Sequence, residues 1–534
     1  MKDLRRDSHG RLGGRVVTMG PGCVGGSAGG APARRERVVR PEELDSPSMM
    51  TVHPRPEGAV AAEPVRRGRV RATMASMAIH RVLIVGGGFG GLNAARVLGR
   101  DQRVTVTLVD RRNFHLFQPL LYQVATGAIS PGDIAQPLRS VLRRQRNTSV
   151  LLGEAVGIDP ERREVLMSDG GPLGYDTLIV ATGARHSYFG HDDWAPNAPG
   201  LKSIDDALEI RRRILIAFEA AEREQNLERR GEWMTFVVVG GGPTGVELAG
   251  ALGEISNDTL RRDFRSIHSP DARIILVEAL DRILPPYPPD RSASAASQLG
   301  KLGVEVRTKT RVVDVDARHV RVVTETGEEE IRTRTTLWAA GVQASSFVRA
   351  VAAATGAETD RAGRILVGPD LAIPGHPEIL ALGDAAVQPW KKGRNVPGVA
   401  QGAIQSGGYA GRAIRARLDG KPVKPFRYRD KGDVAVIGRL RGVTNVGWLG
   451  PLGRQGGFVA WIMWLGIHIF YLIGFANRIV VMVRWAWSFF TSGRGTRLIT
   501  GTPLLPPIEE PAPPAWSSPD VTDPPPSEDR LAGS

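Results

Sequence analysis

The feature that most constrains this chain is a strand-turn-helix pattern that occurs twice. His80–Leu98 has the sequence HRVLIVGGGFGGLNAARVL and Thr235–Leu252 has the sequence TFVVVGGGPTGVELAGAL. Each segment is a short apolar run, a glycine cluster, and then apolar residues at helical spacing, as at the beginning of a βαβ unit. A strand-like run follows each copy, VTVTLVD at 104–110 and RIILVE at 273–278. The sequence therefore predicts an α/β fold with two doubly wound, Rossmann-type dinucleotide-binding domains.

The glycines of both copies have the GxGxxG spacing: Gly86, Gly88 and Gly91 in the first copy, and Gly240, Gly242 and Gly245 in the second. The first glycine makes a tight turn, the second lets a pyrophosphate approach the backbone, and the third lets the helix pack on the strand. A carboxylate ends each following strand, Asp110 and Glu278, where it can accept hydrogen bonds from ribose hydroxyls. Glu278 favours NADH over NADPH, because a carboxylate repels the 2′-phosphate.

The chain carries no redox centre of its own. Its 534 residues include one cysteine, Cys23, which excludes a disulfide framework, a redox dithiol, an iron–sulfur cluster and a thiolate zinc site. His115 and His468 lack metal-ligand spacing, so we expect them to serve packing or interface roles and predict no metal site. Two dinucleotide sites without a protein redox group indicate a flavin and a pyridine nucleotide that face each other, in a reductase that takes hydride from NADH.

Several longer blocks resemble a single family. They are GGGFGGL at 86–92, NFHLFQPLLYQVATGAISPGDIAQPLR at 113–139, ATG at 181–183, GGGPTGVELAGALGEI at 240–255, LWAAGV at 337–342, GDAA at 383–386 and AQGAIQ at 400–405. From about residue 79 to residue 500 the chain resembles the type II NADH dehydrogenases, the single-subunit NADH:quinone oxidoreductases that pump no protons. The resemblance implies FAD at the first glycine turn, NADH at the second, and a membrane quinone (ubiquinone or menaquinone) as the acceptor in the respiratory chain.

The resemblance also implies roles for individual residues. On the flavin side it implies contacts from Phe89, Arg111, Ala181, Thr182, Gly183, Asp384 and Gln401, and on the NADH side from Glu247, Ala340 and Gly341. Glu247, expected in the first turn of the helix after Gly245, would reach the contact between flavin and nicotinamide and orient the nicotinamide or relay a proton. A structural carboxylate stabilised by the helix dipole is the alternative.

The AQGAIQ segment borders the quinone site in the resembled family. Gln401 and Gln405 are four residues apart and share one helical face, so they are candidates for contact with a quinone carbonyl or with the flavin. Ile404 belongs to the same predicted site, although some members of the family carry a polar residue there. Ordinary surface glutamines are the alternative interpretation.

The predicted domain organisation has six parts. They are a disordered arm at 1–78, the FAD domain at 79–200 and again at 345–423, an inserted NADH domain at 201–344, a membrane-anchoring region at 424–500 with a hairpin at 431–447, and a disordered acidic, proline-rich tail at 501–534. The FAD domain is expected to be discontinuous because the GDAA segment at 383–386, far along the chain, is expected to contact the FAD bound at the first glycine turn.

The C-terminal region predicts contact with a membrane. Residues 455–477 hold no formal charge, and tryptophans and arginines surround them. Amphipathic helices lying on the bilayer are the favoured interpretation. A transmembrane span and a buried core or dimer helix are the alternatives. The protein is expected at the cytoplasmic face of the cell membrane, on anionic lipid. A homodimer that forms through the C-terminal region is a further expectation. Its net charge of +14 reflects an arginine-rich composition and does not by itself indicate nucleic-acid binding.

Two other classes of protein remain open from the residues alone. The first class is a different reductase on the same fold. A thioredoxin-type or sulfide:quinone reductase is disfavoured because it needs redox cysteines, and a ferredoxin-type reductase is disfavoured because it does not need the membrane region. A membrane-associated nucleotide-binding sensor without turnover would share the two dinucleotide motifs. Flavin content and reoxidation by a quinone distinguish these classes.

Overall fold

The computed structural model describes residues 79–391, 393–491 and 497–500. The arm predicted at 1–78 and the tail predicted at 501–534 lie outside the described residues. Up to residue 200 the elements are β1 (His80–Val85), α1 (Phe89–Leu98), β2 (Val104–Asp110), β3 (Phe114–Leu116), α2 (Leu121–Ala125), α3 (Pro131–Ile134), β4 (Ala135–Pro137), α4 (Leu138–Leu142), β5 (Thr148–Leu152), β6 (Ala155–Asp159), β7 (Glu164–Met167), β8 (Leu173–Gly174), β9 (Thr177–Val180) and β10 (Ala184–His186).

The middle of the chain contains α5 (Ile204–Arg223), α6 (Leu227–Trp233), β11 (Thr235–Val239), α7 (Pro243–Glu254), β12 (Arg273–Val277), α8 (Pro289–Gly300), β13 (Val304–Arg307), β14 (Arg311–Val315), β15 (His319–Thr324), β16 (Gly327–Arg332), β17 (Thr335–Trp338) and β18 (Val342–Ala344). The last part contains α9 (Ser346–Thr355), β19 (Ile365–Leu366), β20 (Ala372–Ile373), β21 (His376–Ala381), β22 (Ala386–Val387), α10 (Ala400–Leu418), β23 (Asp433–Gly438), β24 (Arg441–Asn445), α11 (Gly457–Tyr471) and α12 (Phe475–Thr491).

Two sheets with parallel cores organise the fold. The first has the strand order β20-β21-β9-β1-β2-β5, and the second has the order β13-β12-β11-β17. Their central strands β1 and β11 each contain four consecutive buried apolar residues, VLIV and FVVV, as expected for parallel strands covered on both faces. The strands of the first sheet come from two stretches of sequence on either side of the second sheet, so the chain leaves the first sheet and returns to it.

Helices α1 and α10 lie against each other unusually closely. A Cβ atom added at Gly407 would lie 2.0 Å from the carbonyl oxygen of Gly90, and one added at Gly411 would lie 2.8 Å from Cβ of Val97. Only glycine permits such an approach of two backbones. The contact ties the helix that carries AQGAIQ to the helix that follows the first glycine turn.

The predicted hairpin is confirmed, with β23 antiparallel to β24. It packs on α7 so tightly that a Cβ at Gly250 would lie 1.8 Å from the carbonyl oxygen of Ile437. Helices α11 and α12 continue this packing, since Trp464, Leu472 and Val481 belong to the same buried cluster as α7. One side of the C-terminal region is therefore packed into the core.

The uncharged stretch at 455–477 is divided between α11 and α12, with a break at 472–474. Among the described helices, none combines the length and apolar character needed to cross a bilayer. The other side of the two helices exposes large apolar side chains, among them Phe458, Phe470 and Trp487.

Candidate functional site

The first glycine turn connects β1 to α1 and leaves an open space above its second glycine. Gly86 has φ of +109°, and a Cβ there would lie 2.3 Å from the carbonyl oxygen of Ala181. At Gly91 an added Cβ would lie 1.9 Å from the carbonyl oxygen of Gly86. At Gly88, in contrast, it would meet nothing within 4 Å. The turn therefore has the tight backbone and the free approach that a pyrophosphate needs, and it fits FAD.

The second glycine turn, between β11 and α7, repeats this geometry. Gly240 has φ of +107°, and a Cβ there would lie 2.8 Å from Cα of Ala340. An added Cβ at Gly245 would lie 1.8 Å from the carbonyl oxygen of Gly240, whereas one at Gly242 would meet nothing within 4 Å. The second turn is equally open to a pyrophosphate, and it fits NADH.

The two strand-end carboxylates occupy equivalent positions. Asp110 accepts hydrogen bonds from the N–H of Gly87 at 2.6 Å and from the N–H of Arg112 at 2.8 Å. Glu278 accepts the same pair of bonds from Gly241 at 2.6 Å and from Leu280 at 2.8 Å. Burial raises the pKa of Asp110, opposed by the bonds from Gly87 and Arg112. Each carboxylate thus stands beside its turn, where a ribose would lie.

The residues implied on the flavin side are brought to the carboxyl edge of the first sheet. The N–H of Ala181, directly after β9, donates to the carbonyl of Val85 at 2.8 Å. The hydroxyl of Thr182 bonds that of Ser345 at 2.7 Å. Gly183 has φ of +66° and open space around it.

Asp384 reaches the same edge from the end of β21. It lies in a short 3₁₀ turn, Gly383–Ala385, and an added Cβ at Gly398 would lie 3.2 Å from its Oδ1 atom. Phe89 is half-buried at the start of α1 and packs edge-on against His115, whereas Arg111 is exposed after β2.

Gln401 and Gln405 are one turn apart on α10, as expected, but their amides are already engaged. Gln401 donates to the carbonyl of Gly432 at 3.1 Å and accepts from the N–H of Lys431 at 3.1 Å. Gln405 makes the same two-way contact with Arg429, at 2.9 and 3.0 Å. Both side chains therefore hold the segment 429–432, which leads into β23. Their contact with a quinone stays a prediction, as does that of the half-buried Ile404.

Glu247 is not in the first turn of its helix, contrary to expectation. It is the fifth residue of α7, which has no acidic residue in its first turn. Its carboxyl is instead covered by the C-terminal hairpin and helix, and it is only 9% exposed. Burial raises its pKa to about 8, partly opposed by the backbone of Val436 and the indole of Trp464. Glu247 is therefore largely protonated at neutral pH, so the dipole interpretation does not account for it.

A second acidic group lies near Glu247. Burial, and then the charge of Asp430, raise the pKa of Asp433 to about 6. The pKa of Tyr287 is also raised, by burial and by the negative charges of Asp433 and Glu247. These groups cluster where α7 meets β23, so the region favours neutral, proton-holding side chains.

Glu247 lines a cleft that the sequence did not predict. This aromatic cleft (Tyr122, Gln123, Glu247, Trp461, Trp464 and Trp485, with neighbouring residues) is partly open to solvent and has a volume of about 110 Å³. Trp485 donates to Oε1 of Gln123 at 2.7 Å, and Gln123 donates to the hydroxyl of Tyr122 at 2.9 Å. For Tyr122 and Gln123, the signal in the sequence was that both belong to the family-like block at 113–139.

His115 and His468, for which packing or interface roles were expected, are both packed in the interior. His115 is buried with Nδ1 3.0 Å from the carbonyl oxygen of Gly87, and His468 is buried with Nδ1 2.8 Å from that of Trp464. Burial lowers the pKa of each to about 4, so both are neutral. Because a carbonyl only accepts, Nδ1 carries the proton in each ring. His115 thus supports the first glycine turn from below.

Comparison with known proteins decides the family. Residues 80–407 match the family model described as pyridine nucleotide-disulphide oxidoreductase. The type II NADH:quinone oxidoreductase Ndh of Mycobacterium tuberculosis is 48% identical over 429 residues, which cover 79% of this chain and 90% of the relative. The chain belongs to the type II NADH:quinone oxidoreductases. It is therefore an FAD-dependent oxidoreductase that uses NADH, and the resemblance drawn from its sequence blocks is confirmed.

More distant relatives agree with this assignment. A type II NADH:quinone oxidoreductase of Haemophilus influenzae is 31% identical, over 71% of this chain and 90% of the relative. The structure of NDH2 from Plasmodium falciparum in complex with NADH has the same fold, with a TM-score of 0.71 at 20% identity, and covers 79% of this chain and 100% of that one.

Proposed function

We propose that this type II NADH:quinone oxidoreductase binds FAD at the first glycine turn and NADH at the second, and delivers two electrons to a membrane quinone without pumping protons. The observation that carries the proposal is the matched pair of turns. In each turn the second glycine of the motif is open to a ligand, and a carboxylate accepts a hydrogen bond from the N–H of the glycine before it. Bound FAD supplies a ring that accepts a hydride and releases two electrons. The chain orients the donor, excludes water and provides a route for the acceptor.

The assignment of the two dinucleotides can be tested with a matched pair of variants. Gly88→Ala and Gly242→Ala place a methyl group in the open space of one turn each, at φ of −69° and −71°, which alanine adopts without strain. A methyl group in the position of a phosphate should weaken binding roughly 5- to 150-fold. We expect Gly88→Ala to lose FAD on dialysis and Gly242→Ala to keep FAD but require more NADH.

Absorbance of retained flavin and anaerobic titration with NADH give the two measurements. A far-ultraviolet circular dichroism spectrum like that of wild type excludes misfolding, because loss of FAD by itself lowers the melting temperature. The opposite pattern, with FAD lost only from Gly242→Ala, would reverse the assignment.

For the proton that completes quinol formation, we infer a role for Glu247. Reduction of a quinone by NADH takes one hydride from the donor and one proton from solvent. A carboxyl that is neutral at pH 7 and lines the aromatic cleft is suited to hold that proton. Glu247→Gln should then lower turnover and remove an ionisation from its pH profile, and full turnover with an unchanged profile would contradict the role.

We infer that Gln401 and Gln405 serve the quinone site by holding the segment 429–432, beside which Ile404 contacts the acceptor. Their four hydrogen bonds to backbone atoms support this division of roles. Ile404→Ala should raise KM for a soluble quinone without changing flavin reduction by NADH. Gln405→Ala should lower thermal stability slightly, because it removes two hydrogen bonds to the backbone of Arg429.

We propose peripheral attachment to the cytoplasmic face of the cell membrane, and the exposed apolar sides of α11 and α12 support the attachment itself. Phe458, Phe470 and Trp487 are 56%, 69% and 69% exposed. Arginine contributes less than the sequence suggested, because Arg478 donates to the carbonyls of Leu472 and Phe470, and Arg484 pairs with Asp133 at 3.1 Å. Flotation with neutral and anionic vesicles tests the attachment and the lipid preference, and sedimentation in detergent tests the predicted homodimer.

The overall activity is tested with the purified protein. It should be yellow, NADH should bleach it, and a soluble quinone should restore the colour. Bleaching without reoxidation by quinone would favour a reductase with another acceptor. Absence of flavin would favour a nucleotide-binding sensor.

A further inference from the structure

Phe189 combines two unfavourable features. It has φ of +55°, in the left-handed region where a bulky residue is an outlier, and its side chain is 69% exposed. Leu284 and Leu371 also have positive φ, but both are completely buried, so packing compensates for their strain. The ring of Phe189 contacts that of Trp338, with 6.4 Å between the centroids, but it stays largely exposed, so burial compensates for its strain far less.

The surrounding residues hold Phe189 in this conformation. Its N–H donates to the hydroxyl of Ser187 at 3.3 Å, and the carbonyl of Ser187 accepts a bond from the indole of Trp338 at 2.9 Å. An added Cβ at Gly341 would lie 2.6 Å from Cζ of Phe189. The tip of the ring therefore occupies the space that a Cβ atom of residue 341 would need, and glycine is the residue that allows it.

Phe189 lies at the junction of the two nucleotide-binding sheets. It follows β10, which pairs antiparallel with β18, and β18 follows β17 of the second sheet. Ala340, next to Gly341, is the residue against which Gly240 of the second turn packs. An exposed aromatic ring is thus placed beside the NADH turn, on the side that faces the first sheet.

The strand order indicates which end of NADH this ring would meet. In the order β13-β12-β11-β17, Glu278 follows β12 on one side of the turn, whereas Gly341 follows β17 on the other. A dinucleotide with its adenosine ribose at Glu278 and its pyrophosphate at the turn extends its nicotinamide end toward Gly341. The ring that donates hydride must also lie between the two sheets.

We propose that Phe189 is a positioning residue on which the nicotinamide end of NADH stacks, at the junction of β10, β18 and the second glycine turn. This inference rests on the proposed function and adds to it a specificity contact for the donor. Stacking of an aromatic side chain on a planar ring contributes enough affinity for roughly a 2- to 10-fold effect on the dissociation constant.

Phe189→Gly gives a test in which stability and affinity should move in opposite directions. Glycine accepts φ of +55° without strain, so the melting temperature should equal or exceed that of wild type. The dissociation constant of tetrahydro-NAD, an analogue that cannot donate hydride, should rise 2- to 10-fold by calorimetry on the FAD-loaded protein. The NADH concentration that half-saturates flavin reduction should rise equally, while KM for a soluble quinone stays unchanged. Phe189→Tyr, which keeps the ring, should bind the analogue within twofold of wild type.

Unchanged affinity of Phe189→Gly for tetrahydro-NAD would overturn the inference, and so would a fall in melting temperature that accounts for the lost binding. Wild-type protein that NADH fails to reduce would instead overturn the proposed function, before Phe189 is tested. The two failures are therefore distinguishable.

Discussion

Replacing Glu247 with glutamine should remove a pH-dependent part of the stability of this protein. Burial raises the pKa of Glu247 from 4.5 to about 8. Because the native state holds this proton more tightly than the unfolded state does, the wild-type protein is stabilised fully below about pH 4.5 and loses that stability as the pH rises to about 8. The loss is about 1.4 kcal/mol per pH unit and on the order of 5 kcal/mol in total, as an upper bound.

Thermal unfolding of the FAD-loaded protein between pH 5 and pH 9 measures this effect. Relative to Glu247→Gln, whose amide cannot ionise, the wild-type protein should lose about 1–2 °C of melting temperature for each pH unit up to about pH 8. Glu219→Gln, which removes an exposed carboxylate of α5, is the control for loss of a negative charge, and its melting temperatures should follow those of wild type. Parallel curves for Glu247→Gln and wild type would refute the idea that burial keeps Glu247 protonated.

Three further predictions concern packing, specificity and membrane attachment. Gly250→Ala should destabilise the protein by at least about 1–3 kcal/mol in thermal unfolding, because its methyl group would collide with a carbonyl oxygen of β23. Gly231→Ala, in an exposed part of α6 with nothing within 4 Å, should instead stabilise it by about 0.5–1 kcal/mol, and similar effects at both sites would contradict the close packing of α7. Glu278→Arg should raise the ratio of kcat/KM for NADPH to that for NADH, and an unchanged ratio would exclude Glu278 as the specificity residue. Phe458→Ser combined with Phe470→Ser should weaken binding to vesicles by about tenfold or more while flavin reduction by NADH continues, and undiminished flotation would place the anchor elsewhere.

Much of the fold follows from local sequence. A glycine at positive φ, a strand before it and a helix after it are properties of some twenty consecutive residues, so both dinucleotide turns could be predicted without knowing what surrounds them. The same holds for Asp110 and Glu278, because parallel strands place the residues after their carboxyl ends at one edge. The hairpin predicted at 431–447 is likewise formed by neighbouring residues, as β23 and β24.

The roles of the polar side chains could not be predicted in this way. Gln401 and Gln405 have the helical spacing of a binding pair, but the backbone at 429–432 is brought to them by the tertiary fold and takes up their hydrogen bonds. The stretch 455–477 has a length that permits a span, but a break and the burial of Trp464 make it two helices packed on the core. Spacing shows which face a residue occupies and not what covers that face.

The sequence by itself thus determined the two nucleotide-binding turns, their carboxylates and the family, because those features depend on backbone conformation and neighbouring residues. Only the tertiary structure decided the state of Glu247, the aromatic cleft and the exposed position of Phe189. The free energy of a charge depends on the solvent that is removed from it. Glu247 is buried in a cleft that Val436 and Trp464 also line, and these two residues lie about 200 positions away along the chain.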